Sequence, residues 1–146
     1  MAFTVSSPAF QQGASIPTDY SCDGADKQLP VAWEGAPAGT AELALIMDDP
    51  DARGFVHWVV AGIPASASTL AEALPAGAAA GRNDFGNVGY GGPCPPSGTH
   101  RYVVTLYALS APLGLPGAPT AASVRSAAAG KTLGTATLSG TYTRRR

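Results

Sequence analysis

The strongest structural signal in the chain is the segment RYVVTLYAL, which spans Arg101–Leu109. It is dense in β-branched and aromatic residues, the types that pack well on a pleated sheet. Similar segments, each bounded by Gly, Pro or Asp, are Phe3–Val5, Glu42–Met47, Phe55–Ile63 and Ala136–Thr143, and Trp33 lies in a further one. Because so many short strands alternate with turn residues, the sequence predicts a mainly β protein, either a sandwich or a distorted barrel with long loops.

One helix is predicted, near the end of the chain. Thr120 is a good N-cap residue, and Ala121–Ala129 follows with strong helix formers. Gly130 is suited to ending that helix.

Composition and charge set the class of protein. The 146 residues suit one domain, residues 1–146, and 45% hydrophobic against 13% charged residues excludes a disordered chain. The net charge is -1, whereas nucleic-acid-binding proteins usually carry a strongly basic surface. The one basic cluster, Arg144–Arg146, is expected to be a frayed, solvated tail. The N-terminal MAFTVSSPAF has no leader-like apolar region, and no run is long enough for an integral membrane segment. A cytoplasmic protein is therefore expected.

The two cysteines, Cys22 and Cys94, lie in loops rich in Gly, Pro and Asp. They are too far apart in sequence to form a CxxC redox or zinc motif. Free thiols are the expectation for a reducing cytoplasm, and a single bridge between the two is the alternative.

Both histidines of the chain stand at or near the start of a predicted strand, after a glycine-containing loop. Alternation along a strand places His57 on one face with Phe55 and Val59, and Trp58 on the opposite face. The same rule places His100 on a face with apolar residues. A histidine on an apolar face is more often a packing residue than a functional one, so both interpretations stay open.

A cluster of carboxylates, DDPDARG, follows the predicted strand Glu42–Met47. Its aspartates are typical turn formers, but Asp49 also lies where it would meet the histidines and Tyr102 at a sheet rim. Such a set suits three chemistries: a facial-triad metal site, acid–base catalysis by Asp49 with either histidine, or anion binding by imidazoles, phenol and loop N–H groups. The spacing lacks a metal-binding motif, and no serine elbow or phosphate loop is present.

Several segments resemble the phosphatidylethanolamine-binding protein family, and specifically its bacterial Raf-kinase-inhibitor-like branch. They are IPTDYSCDG, AWEGAPAGTAELALIMDDPDA, FVHWVV, NDFGNVGYGGPCPPSGTHRYVVTLYAL and LGTATLSGTY. The resemblance implies an antiparallel β-sandwich with one or two short helices near the C-terminus and a small pocket at one end. The pocket residues that it implies are Asp49, Asp51, His57, Gly92, Pro93, His100 and Tyr102, of which Gly92 and Pro93 depend on the resemblance alone. Arg53 replaces the family's proline and is expected beside the pocket mouth.

These observations predict a protein that binds a small anionic or polar ligand, with no cofactor and no resident metal. Asp49 is expected to raise the pKa of either histidine, so that both imidazoles face the ligand in protonated form. Two alternatives stay open. One is a cofactor-free acid–base enzyme acting on a small metabolite through Asp49, His57, His100 and Tyr102. The other is a kinase-type regulator acting by protein–protein contact, and a homodimer is also open.

Overall fold

The computed structural model describes residues 2–145 and confirms the predicted mainly β architecture. Two antiparallel sheets pack face to face, one with the strand order β1-β2-β5 and one with the order β6-β4-β3-β7-β8. The strands are β1 (Thr4–Ser6), β2 (Val31–Glu34), β3 (Glu42–Asp49), β4 (Phe55–Pro64), β5 (Thr69–Leu70), β6 (Ala79–Ala80), β7 (Thr99–Leu109) and β8 (Thr132–Thr143). Two 3-10 turns, Thr18–Tyr20 and Pro50–Ala52, and the helix α1 (Ala121–Ala128) complete the described elements.

The central strand β3 is buried on both faces, which explains its continuous apolar sequence. On one face Leu43, Leu45 and Met47 pack into the core between the two sheets. On the other face Ala44 and Ile46 pack against α1 and the loop before it. Full burial of side chains of this size stabilises a fold by about 1.5–3 kcal/mol each, so β3 anchors both layers.

Helix α1 confirms its predicted cap. The Thr120 side chain accepts a hydrogen bond from the Ser123 backbone N–H at 3.1 Å, and the Ser123 hydroxyl oxygen accepts one from the Thr120 N–H at 3.0 Å. This reciprocal capping box satisfies two N–H groups that the first turn leaves free. The face that carries Ala121, Val124 and Ala128 is buried against the larger sheet.

A β-bulge in β4 overturns the predicted side-chain alternation around His57. Asp48 pairs with Val56, while Met47, the residue before it in β3, pairs with Trp58, so His57 is an extra residue in the ladder. As a result Trp58 joins the core between the sheets, the side on which His57 also lies. Val59 packs on the opposite, helix-covered side. Sequence alternation was therefore wrong here, because one inserted residue reverses the phase of all that follow.

The expectation of free thiols is also wrong. Cys22 and Cys94 form a disulfide, with Cα atoms 5.4 Å apart. Folding brings the two loops together independently of their sequence separation, which is why spacing alone did not reveal the pair.

The C-terminal arginines are not the predicted free tail. Arg144 donates from Nε to the Asp23 carboxylate at 3.1 Å, and the Arg145 backbone N–H donates to the same carboxylate at 3.0 Å. Hydrogen bonds from the Tyr142 hydroxyl and from that N–H hold the Asp23 pKa below its ordinary value. Arg146 lies outside the described residues. Within residues 2–145, no helix has the length and apolar character needed to cross a membrane.

Candidate functional site

A cavity of about 190 Å³ opens at one end of the larger sheet. It lies where β3 ends, β4 and β7 begin, and two loops around residues 85 and 94–96 come together. Its lining consists of Asp49, Ala52, Phe55, His57, Phe85, Cys94, Pro95, Pro96, His100 and Tyr102. Four of the predicted site residues, Asp49, His57, His100 and Tyr102, thus share one cavity.

Asp49 and His100 form the tightest polar contact of this cavity. The Asp49 carboxylate is only 2% exposed, and its Oδ2 lies 2.5 Å from Nδ1 of His100. Its Oδ1 accepts a hydrogen bond from the Asp51 backbone N–H at 2.9 Å, because Asp49 also caps the turn Pro50–Ala52. A carboxylate can only accept hydrogen bonds, so His100 donates from Nδ1. Its Nε2 is then the ring nitrogen left for another partner.

His57 is fixed by backbone carbonyls rather than by a carboxylate. Its Nδ1 lies 2.8 Å from the Gly91 oxygen and 3.1 Å from the Gly92 oxygen. Since carbonyls only accept, Nδ1 carries the proton, and Nε2 of the neutral ring is an acceptor. Burial lowers the pKa of His57, and it outweighs the opposing effects of the Gly91 carbonyl and the Asp49 charge. The Asp49 charge thus raises the pKa of His57 as predicted, but burial lowers it by more, so the protonated form predicted for His57 is disfavoured.

Tyr102 contributes a hydroxyl that no described residue satisfies. The residue is 1% exposed, and its hydroxyl makes no hydrogen bond of ordinary length and angle within residues 2–145, although the Asp49 carboxylate and the Cys94 backbone lie near enough to affect its pKa. Burial raises its pKa far above the ordinary value, and the Asp49 charge adds to the rise, so the hydroxyl stays protonated. Its ring lies 5.2 Å from that of His57 in an edge-to-face arrangement and 6.5 Å from that of His100. A buried polar group without a partner costs about 1–3 kcal/mol, so a partner from the cavity is favoured.

Two residues predicted for the site or its mouth, Asp51 and Arg53, do not line the cavity. Asp51 is exposed, and its side chain accepts a hydrogen bond from the Arg101 backbone N–H at 2.8 Å. It therefore ties the turn after β3 to the start of β7. Arg53 is exposed, with a left-handed backbone at φ 57° that ends the same turn.

Gly92 and Pro93 form a layer behind His57 rather than part of the lining. The Gly92 N–H donates to the Asp26 carboxylate at 2.9 Å while its carbonyl accepts from His57. A Cβ on Gly92 would collide with the Tyr20 carbonyl oxygen, so only glycine allows this close approach. The Pro93 carbonyl accepts from the Cys22 N–H at 3.1 Å, next to the disulfide. No pattern in the sequence indicated this role of Asp26.

The apolar walls are the part of the cavity that sequence reasoning missed. Ala52, Phe55, Phe85, Cys94, Pro95 and Pro96 all line it. All six lie within the segments that resemble the family, which was the available signal. Phe85 lies in an irregular loop, where no periodicity indicates which way a side chain points.

A metal centre is not formed by this set. Within the described residues, no group of three or more His, Cys, Asp and Glu side chains is arranged to hold a metal ion. A second cavity, of about 210 Å³, lies by the loop before α1. Its one charged lining residue, Glu42, already accepts a hydrogen bond from the Leu113 N–H at 3.1 Å. Of these two cavities, the first is the one that brings several titratable side chains together.

The protein is a β-sandwich, because two antiparallel sheets pack face to face. Its histidine-lined cavity lies at one end of the larger sheet. The family profile described as "Phosphatidylethanolamine-binding protein" matches residues 6–143. The chain belongs to this family, as the resemblance in its sequence predicted.

Relatives of the chain are found in bacteria and archaea. A UPF0098 protein of Methanothermobacter thermautotrophicus is 44% identical over 93% of this chain and 95% of its own length. A Mycobacterium tuberculosis protein described as "Putative lipoprotein LppC" is 48% identical over 95% of this chain and 71% of its own length.

Solved structures show the same fold. Escherichia coli YbcL, described as a new member of the mammalian PEBP family, aligns with a TM-score of 0.91 at 31% identity, covering 99% of this chain and all of its own. The homolog CT736 of Chlamydia trachomatis aligns with a TM-score of 0.92 at 35% identity, covering 99% of both chains.

Proposed function

We propose that the protein binds a small ligand by an acidic or anionic head group in the cavity beside Asp49. The observation that carries this proposal is the Tyr102 hydroxyl, which is buried, protonated and without a partner among residues 2–145. A hydroxyl of this kind donates readily to an oxygen that enters the cavity.

The charges of the cavity favour a head group that keeps one proton. A protonated His100 beside the Asp49 carboxylate forms a pair with no net charge, and it offers an N–H from Nε2. Tyr102 offers an O–H, whereas neutral His57 offers only a lone pair at Nε2. A monoprotonated phosphate or a carboxylic acid supplies the matching acceptors and donor. A fully ionised phosphate is disfavoured, since it would face Asp49 with no fixed cation beside it.

A titration with inorganic phosphate tests this proposal. The imidazole NMR signals of His57 and His100 should shift together and saturate, and the affinity should rise from mildly basic to mildly acidic pH. A Tyr102→Phe variant should bind more weakly, since it lacks the donor. The proposal is wrong if neither imidazole responds, or if the affinity is flat with pH.

A second candidate function is acid–base catalysis, favoured by the contact between Asp49 and His100. A buried carboxylate on Nδ1 of an imidazole fixes its tautomer and orientation, which leaves Nε2 available as a general base. Hydrolysis of p-nitrophenyl acetate tests this directly. A rate that falls in both Asp49→Asn and His100→Gln supports catalysis, and equal rates in all three proteins count against it.

We also propose one domain over residues 1–146. The cytoplasmic location stays a prediction, and the disulfide favours an oxidising compartment instead, since cytoplasmic thiols are kept reduced. Fractionation of cells that express the full-length chain distinguishes the two compartments. Kinase-type regulation and a homodimer also stay predictions, and no contact described above bears on them.

A further inference from the structure

The wall of the cavity carries an unusual exposed aromatic residue. Phe85 is 45% exposed and is one of three large hydrophobic side chains that are exposed among residues 2–145. Its ring lies 4.8 Å from the Phe55 ring and 5.3 Å from the His57 ring, both at steep angles. Phe85 therefore lines the cavity and meets its neighbours by edge-to-face contacts, while almost half of its surface stays exposed.

The loop around Phe85 holds this ring in place. The buried Asn83 side chain accepts hydrogen bonds from the N–H groups of Phe85 and Asn87 at 3.0 and 3.2 Å. Asp84 accepts one from the Val56 N–H at 2.7 Å, which ties the loop to β4. The ring also packs so closely on Gly91 that a Cβ there would lie 2.6 Å from its Cδ2 atom. The backbone is thus built around the position of the Phe85 ring.

Size and chemistry together indicate what this wall accepts. Apolar side chains of Ala52, Pro95 and Pro96 also line the cavity. An engineered apolar cavity of about 150 Å³ holds one benzene molecule, so a cavity of about 190 Å³ has room for one ring and a small head group. Aromatic rings favour offset or edge-to-face contact with other rings.

From these observations we infer that the ligand is an aromatic ring that bears a single acid head group, and that Phe85 selects for the ring. This inference rests on the proposed function, because the head group must occupy the polar end at Asp49, His100 and Tyr102. Phe85 then contributes specificity for the rest of the ligand. A flexible alkyl chain would gain burial at this wall but not the directional ring contacts.

Binding of inorganic phosphate, phenyl phosphate and n-hexyl phosphate, measured by calorimetry at mildly acidic pH, tests the inference. Phenyl phosphate should bind at least about tenfold more tightly than inorganic phosphate, and about fivefold more tightly than n-hexyl phosphate. In Phe85→Ala the preference for phenyl over hexyl should fall close to one. Val88→Ala is the matched control, since Val88 is 53% exposed nearby but does not line the cavity, and it should keep the preference.

The outcomes separate this inference from the proposed function. If inorganic phosphate binds but the phenyl group adds nothing, the aromatic inference is overturned and anion binding stands. If hexyl and phenyl phosphate bind equally and Phe85→Ala weakens both alike, the wall accepts any apolar group, which also overturns it. If none of the three probes binds, both proposals fall.

Discussion

Replacing Tyr102 by Phe removes one oxygen atom and should separate stability from binding. The Tyr102 hydroxyl is buried and has no hydrogen-bond partner in residues 2–145. Its removal therefore breaks no hydrogen bond to the described residues, and it relieves part of a desolvation cost of about 1–3 kcal/mol. We expect the free energy of unfolding to stay unchanged or to rise by up to about 1 kcal/mol. For a chain of this length, a rise of that size corresponds to roughly 2–4 °C in Tm.

Binding should change in the opposite direction. A hydrogen bond to a charged group contributes about 1.5–3 kcal/mol, so phosphate affinity should fall by a factor of about 10 to 150. Tyr142→Phe is the matched control. Its hydroxyl is also on a buried tyrosine but donates to the Asp23 carboxylate at 2.6 Å. That variant should lose about 1–3 kcal/mol of stability.

Urea unfolding and phosphate calorimetry on the three proteins provide the assay. The reasoning is refuted if Tyr102→Phe is destabilised as much as Tyr142→Phe, because the hydroxyl would then have a stabilising partner. It is also refuted if Tyr102→Phe binds phosphate as tightly as the unmodified protein. A stable variant with weak binding is the expected combination.

Three further predictions follow from the layer around the cavity. Burial lowers the His57 pKa, so below about pH 6.5 the histidine is protonated in the unfolded chain while it is still neutral in the folded protein. Stability to urea should fall as the pH falls through that range, and His57→Gln should show a shallower slope; equal slopes would contradict this. Reducing the Cys22–Cys94 bridge, which spans 72 residues, should lower stability by about 4 kcal/mol, and an unchanged urea midpoint would count against it. Gly92→Ala should lower Tm and shift the His57 ring signals, since its Cβ collides with the Tyr20 carbonyl; unaltered signals would show that the loop adapts.

Local patterns in the sequence were enough to predict most of the framework. The segments of β4 and β7 are dense in β-branched and aromatic residues, β3 is a continuous apolar run, and these three strands form the centre of the larger sheet. Helix α1 begins at the predicted Thr120 cap and ends one residue before the predicted Ala129. These features depend on residues that are neighbours in the chain, so periodicity and capping rules reach them.

The polar part of the site was also visible in the sequence. Asp49, His57, His100 and Tyr102 were singled out because scarce or charged residues stood at strand ends, and the structure brings all four to one cavity. Strand ends in one sheet meet at common rims, which is why residues far apart in the sequence could be grouped from strand positions alone. Whether these residues bind the ligand stays a prediction.

Only the tertiary structure decided the rest. The bulge at His57, the Cys22–Cys94 bridge, the Asp23 contact of Arg144 and the Phe85 wall all join segments that are distant in sequence or irregular in backbone. The direction of the His57 pKa likewise depends on how deeply the fold buries the ring, which no local pattern records. Residue type and spacing determine which groups are available, whereas burial and long-range contact determine their charge, their partners and the shape of the cavity that they line.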